Sequence, residues 1–275
     1  MATGLSGFIS WIIIIVTGLI SYRGFNDHFF FEKYEFSVEK IRLYKDYKRL
    51  VTSGFLHVNW MHLIFNMLGV YFFAPLLIGQ LHWYGFLLVY FASMVGGDLL
   101  SLMIYKNKGD YTSVGASGAV MGGIFATIAL DPSIPIWFLP GWLFGLLYIG
   151  LTIYGVRSKK DNIGHEAHLG GAMIGMLVAI ALQPTALIEN WKTILIIALP
   201  TLTFIYLIIT RPHILLIDNL FFKTHQNHYT VDHKYNENRY NQQQEIDRIL
   251  DKINKRGINS LSQKEKQMLR EYSKK

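Results

Sequence analysis

The sequence predicts an all-α membrane protein: six transmembrane helices in a bundle, a candidate seventh span, and a small helical tail. Three observations carry this reading. Hydrophobic residues make up 51% of the 275-residue chain and charged residues only 16%, against about 25% charged in soluble domains. Six apolar segments fall within residues 1–183, each near the roughly 20 residues that a helix needs to cross a bilayer. The remaining charge is gathered into the connecting loops and the C-terminal region.

Leu5–Ser21 is the first span. Its apolar run lacks a basic leader and a small-residue cleavage site, so it reads as a retained helix and not as a signal peptide. Val58–Gly79 and Trp83–Tyr105 follow as the second and third spans, separated by the short Gln80–His82 connection. Val114–Leu130, Ile134–Val156 and Ile163–Leu182 are the fourth to sixth. Thr193–Thr210 is the candidate seventh span, apolar but short and interrupted by Pro200. The long first loop, Arg23–Arg49, mixes charges with aromatics and suggests a structured element lying on the bilayer.

Beyond Arg211 the chain turns polar, and Lys223–Gln244 reads as a flexible linker rich in Asn, Gln and His. Ile246, Ile249, Leu250 and Ile253 then recur at helical spacing, with Gly257 as the stop. Ser262 and Glu265 form a capping-box pattern that opens a second helix. The domains implied are a membrane domain over 1–183, an extra transmembrane or interfacial segment over 184–221, a linker over 222–244 and a helical hairpin over 245–275.

Composition also excludes. With no cysteine, disulfides, thiolate catalysis and Cys-ligated metals are ruled out. The net charge of +7 arises mostly from the tail and the juxtamembrane loops. An anionic membrane surface is therefore a simpler partner than nucleic acid.

Three polar islands interrupt the apolar segments: His57 to His62 with Asn66, Gly115-Ala-Ser117-Gly118-Ala119, and His165-Glu-Ala-His168. Polar groups at membrane depth are expensive, so their default reading is functional. Each span reverses the side of the membrane, which puts the first, third and fifth loops on one face. All three islands enter their helices from that face. At about 1.5 Å of rise per residue, Ser117 and His168 lie on the order of 5–10 Å below it. Gly118 and Gly122 in the fourth span, and Gly171 and Gly175 in the sixth, have the spacing that lets membrane helices approach closely.

The chemistry follows from these residue types. Ser117 is a weak nucleophile unless a base takes its proton, and His168 is the candidate. No acid is obviously placed to orient His168, which favours a dyad over a triad. Attack on a carbonyl needs donors for the developing oxyanion. The His62 imidazole, the Asn66 amide and the Ser117 backbone N–H can supply them. His57 is either interfacial or a partner that stabilises the first loop, and His165 and Glu166 read as solvated residues at the loop end. A soluble serine hydrolase would carry Gly-x-Ser-x-Gly, and Ala119 breaks that pattern. His165-Glu-Ala-His168 is one residue short of a metalloprotease motif. The alternative of another class is a non-proteolytic membrane protein: a di-metal oxygenase using His57, His62, His165 and His168, or a pseudoprotease.

Taken together, these motifs resemble the rhomboid family of intramembrane serine proteases, over roughly Leu5 to Leu182. The resemblance rests on His57-x-x-x-x-His62-x-x-x-Asn66, Gly115-Ala-Ser117-Gly118 and Ala167-His168-Leu-Gly-Gly171-x-x-x-Gly175. It implies a six-helix bundle whose shortened fourth helix sets Ser117 at the bottom of a water-filled cavity. It also implies Ser117 as nucleophile, His168 as base, His62 and Asn66 as oxyanion donors, and membrane proteins, single-pass or other, as substrates. No cofactor and no metal are expected. The family's first loop often carries Trp-Arg where this chain has Lys48-Arg49, and the glutamate common after the second span is not evident near Pro75–Gln80.

Orientation is contested within the sequence. Bacterial secretase-type rhomboids hold the catalytic face outside the cytoplasm. The first, third and fifth loops here carry seven, two and three Lys/Arg, whereas the second and fourth carry none. The positive-inside rule would then turn the site towards the cytoplasm. Seven of these cations share the long first loop with five acids, and we favour the family orientation, in a bacterial cytoplasmic (inner) membrane. The tail, with thirteen Lys/Arg, suits a cytoplasmic end and could dock an unknown partner.

Overall fold

The computed structural model describes residues 3–158, 164–210 and a discontinuous set between 246 and 269. The chain divides into two compact units, Met1–Phe221 and Phe222–Lys275. The first is helical almost throughout. Helix α1, Thr3–Asn26, is the first span. The first loop then folds into α2 (His28–Tyr34), β1 (Phe36–Ser37), α3 (Val38–Tyr44), α4 (Arg49–Thr52) and a 3-10 turn over Ser53–Phe55.

Local chemistry shapes this loop. Asp27 accepts from the Phe30 N–H and Ser37 from the Lys40 N–H, satisfying orphan donors at the starts of α2 and α3. Arg49 is buried and organises the rest. Its Nη1 donates to the carbonyls of Glu32 (2.9 Å) and Glu35 (2.6 Å), and its Nε to Asp46 (2.9 Å). Removing a buried guanidinium from such a set would forfeit all three of these hydrogen bonds at once.

Helix α5, Trp60–Ile104, contains both the second and the third spans. The expected connection at Gln80–His82 shrinks to a break at His82 (φ 59°, ψ 174°), a conformation that non-glycine residues rarely adopt. Strand β2, Thr112–Ser113, pairs antiparallel with β1, which places the first and third loops on one face. Helix α6, Ser117–Leu130, is buried along nearly its whole surface. Its 14 residues give about 21 Å of rise, well short of a roughly 30 Å hydrocarbon core. At its far end, Asn190 Nδ2 donates to the carbonyls of Ala129 and Leu130, both at 3.0 Å, so the last two acceptors of the short helix are satisfied.

The expected fifth span began at Ile134. Instead residues 135–140 form a hairpin, β3 (Pro135–Ile136) with β4 (Leu139–Pro140), and the helix α7 runs only from Gly141 to Ser158. Two prolines in this stretch remove backbone donors that a helix would need. Helix α8, His165–Leu182, is the sixth span, followed by the short α9, Thr185–Glu189. Helix α10, Trp191–Thr210, continues through Pro200.

Helices α1, α5, α8 and α10 are long and apolar enough to cross a membrane by length and composition, and α6 and α7 are shorter apolar helices. Their outer faces expose Trp11, Leu19, Phe65, Phe72, Leu88, Leu195 and Leu199. Such a surface suits lipid, and the chain is an integral membrane protein with an all-α bundle.

Glycines set the innermost contacts. A Cβ on Gly171 would lie 2.1 Å from the Gly118 carbonyl oxygen, and one on Gly175 equally close to that of Gly122. The backbones of α6 and α8 therefore touch directly at both pairs. Gly97 meets the Ala167 carbonyl oxygen at 2.5 Å by the same measure, and Gly170 meets that of Gly96 at 2.9 Å. A third helix thus joins the seam. Without such contacts, helices usually stay 8–10 Å apart at their axes.

In the second unit, Ile246, Ile249 and Leu261 are buried. Ser262 Oγ accepts from the Glu265 N–H (3.3 Å) and Glu265 Oε2 from the Ser262 N–H (2.6 Å), a reciprocal cap. Lys252 Nζ meets the same carboxylate at 2.8 Å. That hydrogen bond, with those from Ser262, holds Glu265 at a pKa of about 2. The linker over 222–244, much of the hairpin over 245–275 and the Lys159–Ile163 connection lie outside the described residues.

Candidate active site

Helix α6 begins at Ser117, so this residue's N–H falls among the first-turn donors that the helix itself leaves unsatisfied. The turn that leads into it calls for glycine. Gly115 has φ +131°, a region open to glycine and closed to most side chains. Its Cα faces the His62 ring: a Cβ there would lie 2.6 Å from Cε1 and 2.8 Å from Nε2. The His62 imidazole is therefore packed on the residue two before the serine.

Ser117 Oγ lies 2.7 Å from His168 Nε2. Both residues are half-buried, so the pair is neither sealed in the core nor turned wholly outward. The close approach of α6 and α8 at Gly118 and Gly171, one residue past the serine and three past the histidine, brings the two side chains within reach. His168 Nδ1 lies 2.9 Å from the Tyr148 hydroxyl of α7.

His57 is fully buried and has both ring nitrogens engaged. The Ala116 N–H donates to Nε2 at 3.3 Å. Nδ1 must then carry the proton, and it donates to Ser21 Oγ at 2.9 Å. Ser21 passes its own proton to the Phe55 carbonyl at 2.8 Å. This relay ties α1, the end of the first loop and the residue before the serine. Burial first, and the neighbouring His62 second, hold His57 far below its ordinary value, at a pKa of about 3. It is neutral wherever the protein is folded near neutrality.

Asn66 is buried one turn below His62 and its Nδ2 donates to the His62 carbonyl at 2.9 Å. The amide retains a second N–H. Asn59 caps the same helix by accepting from the His62 N–H at 2.8 Å, which fixes where the His62 side chain leaves α5.

One expectation is corrected. Glu166 is buried, not solvated. Its carboxylate accepts a hydrogen bond from the Tyr105 hydroxyl at the end of α5, and Tyr105 stacks on Tyr111 at 3.9 Å between ring centres. The helix start brings Glu166 inward, against the third loop. Burial first, and Glu166 second, push the Tyr111 hydroxyl of the third loop well above its ordinary value. His165 lies beside His168, with ring centres 6.1 Å apart.

Three features were not singled out in the sequence. Tyr148 is one of 16 tyrosines, and nothing in its local sequence marks it. Ser53, whose hydroxyl sits between Asp98 Oδ2 (2.9 Å) and the Arg49 carbonyl (2.6 Å), links the first loop to α5. The Gly96-Gly97 pair could have been found by asking which other span carries adjacent small residues.

A metal centre built on His57, His62, His165 and His168 does not fit this arrangement. His57 and His168 have both ring nitrogens engaged in the bonds given above, and among the described residues no group of three or more His, Asp or Glu has a metal-holding geometry.

Fold and site thus define a helical membrane protein with a serine and a histidine hydrogen-bonded between two membrane-embedded helices. The family model for the rhomboid domain matches residues 44–185, just over half of the chain, and the chain belongs to the rhomboid family. It is 31% identical over 211 residues to rhomboid protease AarA of Providencia stuartii, covering 65% of this chain and 73% of that one. It is 33% identical over 135 residues to the putative rhomboid protease YdcA of Bacillus subtilis, covering 48% and 65%. Rhomboid-like protein 11, chloroplastic, of Arabidopsis thaliana is 32% identical over 188 residues, covering 62% and 63%. The chain spans less than two-thirds of the length of these last two relatives. Residues 229–275 match a second family, DUF6576, of unknown function.

Proposed function

We propose that this chain is an intramembrane serine endopeptidase that cleaves membrane proteins through a Ser117–His168 dyad. The observation that carries the reading is the 2.7 Å separation of Ser117 Oγ and His168 Nε2, on two helices whose glycine contacts leave little freedom between them. A neutral imidazole with its lone pair on Nε2 is the base that a serine hydroxyl requires.

Ser117 Oγ attacks the scissile carbonyl carbon while His168 Nε2 takes the hydroxyl proton. The carbonyl π pair moves to oxygen, where the Ser117 N–H, the His62 imidazole and the second N–H of Asn66 are the proposed donors. Collapse expels the amine, which receives the proton from His168, and leaves an acyl-serine. Water then attacks that ester with His168 again as base, releasing the acid and restoring the hydroxyl. Half-burial of both dyad members is consistent with water reaching them from the loop face. The membrane domain over 1–183 houses this chemistry, with 184–221, 222–244 and 245–275 as appended segments.

The test is cleavage of a model single-pass substrate in proteoliposomes. Ser117→Ala and His168→Ala are each expected to abolish it at unchanged expression, as removal of either member of an acyl-transfer dyad typically costs on the order of 10⁴-fold or more. Cleavage by purified Ser117→Ala at the wild-type rate would end the proposal. The sequence relatives include a chloroplast protein; placement in a bacterial cytoplasmic membrane, with the catalytic face outside the cytoplasm, is part of this proposal.

A further inference from the structure

We propose that Tyr148 is a positioning residue for the base, taking the place that a carboxylate holds in a three-membered catalytic set; this rests on the protease reading above. For His168 Nε2 to accept the Ser117 proton, Nδ1 must carry the other proton. The partner of Nδ1 is the Tyr148 hydroxyl at 2.9 Å, which must then accept. The acid nearest in sequence, Glu166, is committed to Tyr105.

The phenol is held where it is needed. Its ring stacks on Phe144 (6.0 Å, 15° between planes) and lies 6.0 Å from Phe125 of α6. Two neighbouring rings therefore aim the hydroxyl, and Tyr148 holds the ring orientation of His168 while offering its Nδ1–H an uncharged acceptor. It also spreads the serine, the histidine and its positioning group over three helices. The nucleophile comes from α6, the base from α8 and the group that orients the base from α7.

Tyr148→Phe removes one oxygen and keeps the ring between its neighbours. In the full chain reconstituted in proteoliposomes, we expect kcat to fall roughly tenfold to a hundredfold, the range for one hydrogen bond to a charge-bearing group. KM and the thermal unfolding midpoint stay near the wild-type values, and labelling of Ser117 by a fluorophosphonate slows in parallel with kcat. Phe144→Leu separates packing from hydrogen bonding. It should lower the unfolding midpoint yet retain more kcat than Tyr148→Phe well below that midpoint. Wild-type kcat and labelling in Tyr148→Phe, or the reverse order of the two variants, would overturn the proposal. If Ser117→Ala is inactive while Tyr148→Phe is unimpaired, only the role of Tyr148 falls. If Ser117→Ala still cleaves, the protease reading falls and this role with it.

Discussion

His57 carries a hydrogen-bond relay that works in one protonation state only. Protonating Nε2 would set a donor against the Ala116 N–H, inside a site with no exposure to water. Unfolding releases the ring to its ordinary pKa of 6.5, whereas the folded state holds it near 3. The folded state therefore binds fewer protons between these values, and stability is lost as pH falls below about 6.5. By pH 5 the loss from this group amounts to about 2 kcal/mol. Thermal unfolding in detergent should show a midpoint that falls between pH 7 and pH 4, and His57→Gln should flatten that dependence. An unchanged slope would place the titration elsewhere. At this scale Ser117, His168, His62 and Asn66 stand out in the sequence as candidates, because polar residues in apolar segments announce themselves, and the roles given to them belong to the proposal. Tyr148 was not, since a tyrosine in a span is ordinary until the fold puts its hydroxyl beside a particular nitrogen. Glu166 was misread for the opposite reason: a charge near a helix start looks solvated unless the packing of the third loop is known.

Contact between helices α6, α8 and the second half of α5 rests on residues that lack side chains. Gly171→Ala would drive a methyl to 2.1 Å from the Gly118 carbonyl oxygen, so the helices must part by about 1 Å. Overpacking of this kind costs about 1–3 kcal/mol, and a 1 Å displacement of a catalytic pair costs on the order of a hundredfold in rate. Gly150→Ala is the control, because no atom lies within 4 Å of the new methyl. We expect the first variant to lose cleavage at least a hundredfold and the second to match the wild type, measured side by side on one substrate. The glycine spacing in the fourth and sixth spans disclosed this contact in advance. The hairpin at 135–140 escaped notice because an uncharged apolar stretch has the same composition whether it is helix or hairpin. Pro135 and Pro140 were the available signals, with α7 starting directly after the second.

At the scale of the whole molecule, β1–β2 pairing puts the first and third loops on one face, together with Ser117 and the start of α8. Counting spans had already given that grouping, since reversal of direction is obligatory once six helices are granted. The proposed orientation has a direct readout: a protease-sensitive tag in the third loop is expected to be cut from outside the cytoplasm in intact cells. The C-terminal unit, Phe222–Lys275, forms a separate compact region, and a chain ending before it should label at Ser117 at the wild-type rate. The central proposal, a serine activated by an imidazole from a neighbouring membrane helix, is tested most directly by fluorophosphonate labelling of the purified full-length protein. Wild type is expected to acquire one covalent adduct at Ser117, and His168→Ala and Ser117→Ala none. Equal labelling of all three, or a wild type that never reacts while still cleaving substrate, would contradict it.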